Sequence, residues 1–203
     1  MSSRPGIPDR ICVFCGSSAG RVPEYTAGAR AFGRLLAGRG IGIVYGGSAL
    51  GMMGALADAA LEAGGSVTGV IPHGLLAREI AHPGLTELHI VESMHSRKAM
   101  MAELSDAFVA LPGGVGTLEE FFEIWTWAQL GIHEKPLGLL NIGGYFDALM
   151  RFLEWAVAEQ FVKPAHLGMI AADQEPEALV RKLVQSRRHL ASDEPRWISR
   201  EES

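Results

Sequence analysis

The chain alternates short, apolar, β-branched runs with longer helical stretches, and three of the apolar runs end in a glycine turn. That alternation restricts the fold more than any other feature. Strand followed by helix, repeated along a chain, builds a mostly parallel sheet covered on both faces. Strands are expected at 10–15, 41–45, 66–71, 88–91, 107–111, 136–141 and 169–171, and helices at 23–39, 51–63, 95–104, 117–130, 145–160 and 176–186. The strand runs are almost wholly apolar rather than alternating, as in strands buried on both sides. The expected architecture is α/β: a Rossmann-like, doubly wound, mostly parallel sheet with right-handed crossovers and helices on both faces. The 203 residues suit a single domain over 10–188, with 1–9 as an N-terminal extension and 189–203 as a flexible C-terminal tail.

The glycine turns carry the functional signal. Strand 10–15 runs into Gly16-Ser17-Ser18, strand 41–45 into Gly46-Gly47-Ser48-Ala49-Leu50-Gly51, and strand 107–111 into Pro112-Gly113-Gly114-Val115-Gly116-Thr117. Ligands of open parallel sheets bind at the carboxyl ends of the strands. Glycine there lets backbone N–H groups approach a ligand, and a helix N-terminus adds unpaired donors and partial positive charge. Three such turns on one edge describe an anion cradle, with phosphate as its natural guest; the competing reading is three tight turns and nothing more. The common phosphate fingerprints are missing. No G-x-x-x-x-G-K-[ST] occurs, and Glu119 stands where the third glycine of G-x-G-x-x-G would follow Gly114 and Gly116. A kinase or an ordinary dehydrogenase is therefore disfavoured.

Other classes recede on composition. A net charge of -5 without any Lys/Arg run argues against a nucleic-acid partner. No segment reaches the roughly 18 apolar residues of a membrane span, and the polar start lacks a signal-peptide core, so a cytoplasmic protein is expected. Cys12 and Cys15 have C-x-x-C spacing, but residues three apart on a strand face opposite ways, and no second pair completes a zinc site. No metal is expected.

Pro112-Gly113-Gly114-Val115-Gly116-Thr117-Leu118-Glu119-Glu120 matches P-G-G-x-G-T-x-x-E, the signature of the LOG ("lonely guy") family. Around it stand Cys15-Gly16-Ser17-Ser18, Tyr45-Gly46-Gly47, Gly51-Met52-Met53-Gly54, Gly69-Val70-Ile71-Pro72, Met94-His95-Ser96-Arg97-Lys98 and Trp125-Thr126-Trp127-Ala128-Gln129-Leu130-Gly131. The chain thus resembles the cytokinin riboside 5'-monophosphate phosphoribohydrolases over roughly 10–188. The resemblance implies hydrolysis of AMP or an N6-modified AMP of the isopentenyl-AMP type to free base and ribose 5-phosphate, by a homodimer, without a cofactor. It departs at Ser48, where the family usually has a third glycine.

Cleaving an N-glycosidic bond builds positive charge on the ribose and negative charge on the departing purine, so a carboxylate is needed near the sugar. The resemblance points to Glu120, although Thr117-x-x-Glu120 also reads as a capping box. Arg97 is the second catalytic candidate, able to offset charge on the leaving group or hold the carboxylate ionised. Gly113, Gly114, Val115 and Gly116 would supply backbone N–H groups to the phosphate, and Thr117 a hydroxyl. The resemblance adds Lys98, Glu79 and Thr126 as substrate contacts and gives Glu119 the ribose hydroxyls; alone, Glu119 reads as a first-turn acid facing the helix dipole. Phe121, Phe122, Trp125 and Trp127 form a stripe that is either core or a dimer face. Two other functions compete. The same cradle would serve a nucleotide carrier or sensor that does not hydrolyse. A decarboxylase would hold pyridoxal phosphate on a lysine, for which Lys98, unlike Lys135, Lys163 or Lys182, is the one near the expected site.

Overall fold

A computed structural model describes residues 7–75 and 80–192 of the chain; the expectations for 1–6, for Glu79 and for 193–203 lie outside the described residues. In chain order the elements are β1 (Arg10–Phe14), α1 (Pro23–Gly38), β2 (Gly42–Tyr45), α2 (Gly51–Glu62), β3 (Val67–Pro72), β4 (Glu87–Val91), α3 (Met94–Glu103), β5 (Ala107–Ala110), α4 (Val115–Gln129), β6 (Leu137–Leu140), α5 (Asp147–Ala158), α6 (Pro164–Leu167), β7 (Ile170–Asp173) and α7 (Pro176–Ser192).

The seven strands form one sheet in the order β4-β3-β2-β1-β5-β6-β7, and every pairing is parallel. Alternation along each strand divides the interior into two apolar layers. Ile11, Val13, Ile43, Tyr45, Ala107 and Val109 face α1, α2 and α7, where Phe32, Leu36, Leu56 and Leu183 cover them. Cys12, Phe14, Val44, Phe108 and Ala110 face the opposite way, against Met101 of α3, Phe121 and Trp125 of α4 and Leu153 of α5. Helices therefore cover both faces, and the doubly wound reading holds. Cys12 and Cys15 are free, buried and on opposite faces. Burial, and next the nearby charge of Glu120, pushes both thiols up.

Three local differences from the expected elements matter. Helix α4 starts at Val115 rather than Thr117, because Gly114 serves as its N-cap and the helix takes in Gly116. The short α6 was not expected. Helix α7 continues to Ser192, so 189–192 of the expected tail are helical.

Candidate functional site

Strand β1 pairs with β2 on one side and with β5 on the other, and the chain winds outward from this pair in both directions. The β1/β5 junction is the switch point of the sheet, where the helices following the two strands part and leave a crevice. The first and third glycine turns meet there: Gly16 N–H donates to Pro112 O at 3.1 Å and Leu111 N–H to Phe14 O at 2.9 Å.

The second turn is not an open cradle. Met52 and Met53 N–H, at the start of α2, donate to Gly16 O at 3.1 and 3.3 Å. The carbonyl of the first turn thus occupies the N-terminus of α2, and the expected three-turn cradle narrows to the turn after β5. Ser48 is buried with its hydroxyl accepting from Leu50 N–H at 3.2 Å, so the side chain that replaces the family's glycine ties down the approach to α2.

At the third turn no side chain caps α4. Leu118 N–H returns to Gly114 O at 3.2 Å, and the first helical residue, Val115, is 85% exposed. The glycines here differ among themselves. A Cβ on Gly113 would collide with Thr117 Oγ1 and stand 2.8 Å from Gly16 N, so packing alone requires glycine at that position. A Cβ on Gly114 or Gly116 would meet nothing within 4 Å, and neither residue has a positive φ. The fold does not demand glycine at these two positions, and the space in front of them is open. Thr117 is the third helical residue, buried, with its side chain against Gly113. It is not an N-cap, so the capping-box reading of Thr117 and Glu120 fails.

Helix α3 is started by Ser93, whose hydroxyl accepts from Ser96 N–H at 3.1 Å. One residue on, Arg97 is only 5% exposed and donates from Nη2 to Gly46 O at 3.1 Å. A Cβ on Gly46 would collide with that guanidinium. Gly46 is what lets a buried cation lie across the end of β2. Glu120, in the second turn of α4, is half-buried and lies within electrostatic reach of Cys12 and Cys15. Beyond the dominant effect of burial, the Cys12 thiol is pushed up by Glu120 and pulled down by Arg97. The two opposite charges therefore lie within electrostatic reach of one buried sulfur.

Glu119 is rotated away from Glu120, as a one-residue step on a helix requires. It hydrogen-bonds Lys98, which also pairs with Glu123 at 2.8 Å. Lys98 has an 11% exposed side chain. Burial works against its charge, but hydrogen bonds and Coulomb attraction from Glu119 and Glu123 outweigh it and leave the pKa raised. A lysine that forms a Schiff base must present a neutral amine. Lys98, clamped as an ammonium between two carboxylates, does not fit a pyridoxal phosphate site.

The structure thus brings Gly113, Gly114, Val115, Gly116 and Thr117 to the switch point, and Arg97 and Glu120 to the adjoining strand ends. It does not bring Thr126 there: this residue stands about 14 Å along α4 from Thr117, with its hydroxyl on Phe122 O at 2.7 Å. Phe121 and Trp125 are core, and Phe122 and Trp127 pack against that core from partly buried positions. Sequence reasoning missed Tyr145, whose hydroxyl donates to Gly113 O at 2.6 Å; a contact across 32 residues leaves no local signal. A cavity of about 860 Å³ opens at the amino edge of the sheet, between Pro136, Gly168, Met169 and Lys182, and takes in none of these residues. Among the described residues no helix is long and apolar enough to cross a membrane, and no cluster of His, Cys, Asp or Glu could hold a metal ion.

Fold and site together define a Rossmann-like α/β protein with an uncapped, glycine-lined helix start at its switch point and a buried arginine and a glutamate beside it. A family described as "Possible lysine decarboxylase" matches residues 53–183, and the chain belongs to that family, which includes the LOG proteins. It is 50% identical over 174 residues to a probable cytokinin riboside 5'-monophosphate phosphoribohydrolase, LOGL9, of Oryza sativa subsp. japonica, covering 86% of this chain and 77% of that one. Over the same length it is 49% identical to the cytokinin riboside 5'-monophosphate phosphoribohydrolase of Rhodococcoides fascians, covering 85% and 88%. Among solved structures it resembles the molybdenum cofactor carrier protein of Chlamydomonas reinhardtii, with a TM-score of 0.66, 21% identity and coverage of 87% and 96%. At that identity the likeness concerns the fold.

Proposed function

We propose that this chain is a phosphoribohydrolase that cleaves the N-glycosidic bond of a purine nucleoside 5'-monophosphate, AMP or an N6-modified AMP, to free base and ribose 5-phosphate. The observation that carries the reading is the start of α4. Gly114 and Gly116 are unconstrained by packing, no side chain caps the helix, and the site lies at the switch point. Backbone N–H groups of Gly114, Val115 and Gly116, in the field of the helix dipole, receive the 5'-phosphate. The ribose then extends toward Glu120. As the bond from C1' to the base nitrogen breaks, positive charge on the sugar is stabilised by that carboxylate. A water adds its oxygen to C1' and keeps one hydrogen there; its other proton passes to Glu120 and from Glu120, directly or by way of solvent, to the departing base nitrogen, which regenerates the carboxylate. Arg97 is a buried cation held by Gly46 O, the positive charge set against this carboxylate and against charge that develops as the bond breaks.

Within this reading Lys98 holds Glu119 in place rather than touching phosphate. Glu119 Oε1 is engaged by Lys98, and its second oxygen remains for a ribose hydroxyl. Thr126, about three turns down the helix from the phosphate end, spends its hydroxyl on Phe122 O and has no part in holding the phosphate. A homodimer in the cytoplasm is part of the same proposal.

Gly116→Ala tests it. Alanine at the second position of a helix, with free space for its methyl group, should raise stability by about 0.4–1 kcal/mol. The same methyl group would stand between the backbone and the phosphate. Losing one charge-assisted hydrogen bond costs about 1.5–3 kcal/mol, so kcat/KM should fall roughly 10- to 150-fold, mainly through KM. An unchanged KM in a stabilised protein would place the phosphate elsewhere. The wild-type chain should release free base from AMP and from isopentenyl-AMP, seen by chromatography. Intact nucleotide at high protein concentration would select a carrier instead.

A further inference from the structure

We infer that Tyr145 is a positioning residue for the phosphate site, fixing the orientation of the Gly113–Gly114 peptide through its hydroxyl; this rests on the phosphate reading of the signature turn. Tyr145 follows β6 at the end of a tightly determined turn. Gly143 and Gly144 take positive φ values of 60° and 73°. Asn141 holds the turn from inside: its Oδ1 accepts from Phe146 N–H at 2.6 Å and its Nδ2 donates to Asp147 Oδ1 at 2.7 Å. Tyr145 N–H closes the turn onto Ile142 O at 3.2 Å. The ring is then fixed by edge-to-face contacts with Tyr25, at the start of α1, and with Phe146, at 5.6 and 5.0 Å. Its hydroxyl donates to Gly113 O at 2.6 Å although the residue is 41% exposed.

A planar trans peptide points its carbonyl and the following N–H in opposite directions. Holding Gly113 O on the side of Tyr145 therefore sets Gly114 N–H on the other side. The Gly113–Gly114 link needs such a constraint. Nothing packs within 4 Å of where a Cβ on Gly114 would stand, and glycine backbone rotates more freely than any other. Without the hydroxyl the peptide would sample flipped orientations, and Gly114 N–H would be lost to the phosphate for part of the time. Tyr25 extends the brace, because its ring also packs against Gly20 in the loop after β1. One aromatic pair thus joins the loop after β1, the turn after β5 and the turn after β6 at the switch point.

Tyr145→Phe removes the hydroxyl and keeps both ring contacts, so folding should be preserved. Calorimetric titration of the full chain with inorganic phosphate and with ribose 5-phosphate should show binding weakened about tenfold, the scale of one net hydrogen bond. KM for the nucleotide should rise by the same factor with kcat little changed, and binding of free adenine should not move. A purely structural role would instead lower thermal stability and weaken all three ligands together. Phosphate binding equal to wild type, or equal weakening of adenine and phosphate, would overturn the inference. If the wild-type chain itself binds neither phosphate nor ribose 5-phosphate, the functional reading fails first; if it binds both and Tyr145→Phe binds them equally well, only the role of Tyr145 is lost.

Discussion

Glu120→Gln is expected to lower kcat for nucleotide hydrolysis by at least about 100-fold, the usual contribution of a positioned acid/base group, while nucleotide binding persists. The substitution is isosteric and sits in the second turn of α4, so the helix and the glycine turn before it are left as they were. The structure sharpens this test. A glutamate at the third helical position could close a capping box, a role that glutamine would fill as well. Here the helix starts at Val115 with Gly114 as N-cap, which places Glu120 beyond the capping positions. Glutamine at 120 should therefore leave the melting temperature nearly unchanged. Steady-state kinetics, a nucleotide titration and a melting curve on one preparation separate the roles. Wild-type turnover would remove Glu120 from the chemistry altogether. Glu119→Gln should behave differently, because Glu119 is engaged with Lys98: a smaller loss is expected, felt in binding as much as in turnover.

The inner strands were legible in the sequence because the signal for a doubly buried strand is local, an apolar run of four to six residues; the edge strand β4 departs from that expectation, with Glu87, Leu88 and Ile90 exposed. Helical spacing grouped Phe121 and Trp125 into one stripe but left core and dimer face open, and only their packing against the sheet assigns them to the core. The start of α4 was misplaced because Gly114-Val115-Gly116 reads as loop by propensity. A helix tolerates such residues in its first turn, where N–H groups have no intrahelical acceptor to lose. Helix α6 is four residues long, too short to show a period. What the sequence could not reveal is choice of partner. Gly16 O lies on the start of α2, Lys98 takes Glu119 and Glu123, and Tyr145 takes Gly113. Each contact joins segments far apart in the chain, and each decides whether a group faces a ligand or the protein. The P-G-G-x-G-T-x-x-E signature pointed to the candidate site, and the tertiary contacts decide which of its groups are engaged by the protein.

Gly46→Ala is expected to remove Arg97 from the site without unfolding the protein. A methyl group at 46 would overlap Arg97 Nη2 and stand 2.5 Å from Met53 Cε. Both are the ends of flexible side chains, so the conflict is relieved by moving them, not by moving backbone. The stability cost should be that of modest overpacking, about 1–3 kcal/mol. The functional cost should be larger. Arg97 is buried and held by Gly46 O at 3.1 Å, and its displacement takes away the fixed positive charge beside Glu120. Losing a preorganised electrostatic group costs roughly 100- to 1000-fold in kcat, and Arg97→Ala should show a loss of that size directly. The double variant discriminates. If Gly46 acts through Arg97, adding Gly46→Ala to Arg97→Ala should change kcat very little, because the group it displaces is already gone. Multiplying losses would show that Gly46 contributes independently of Arg97, for instance by letting substrate approach the end of β2.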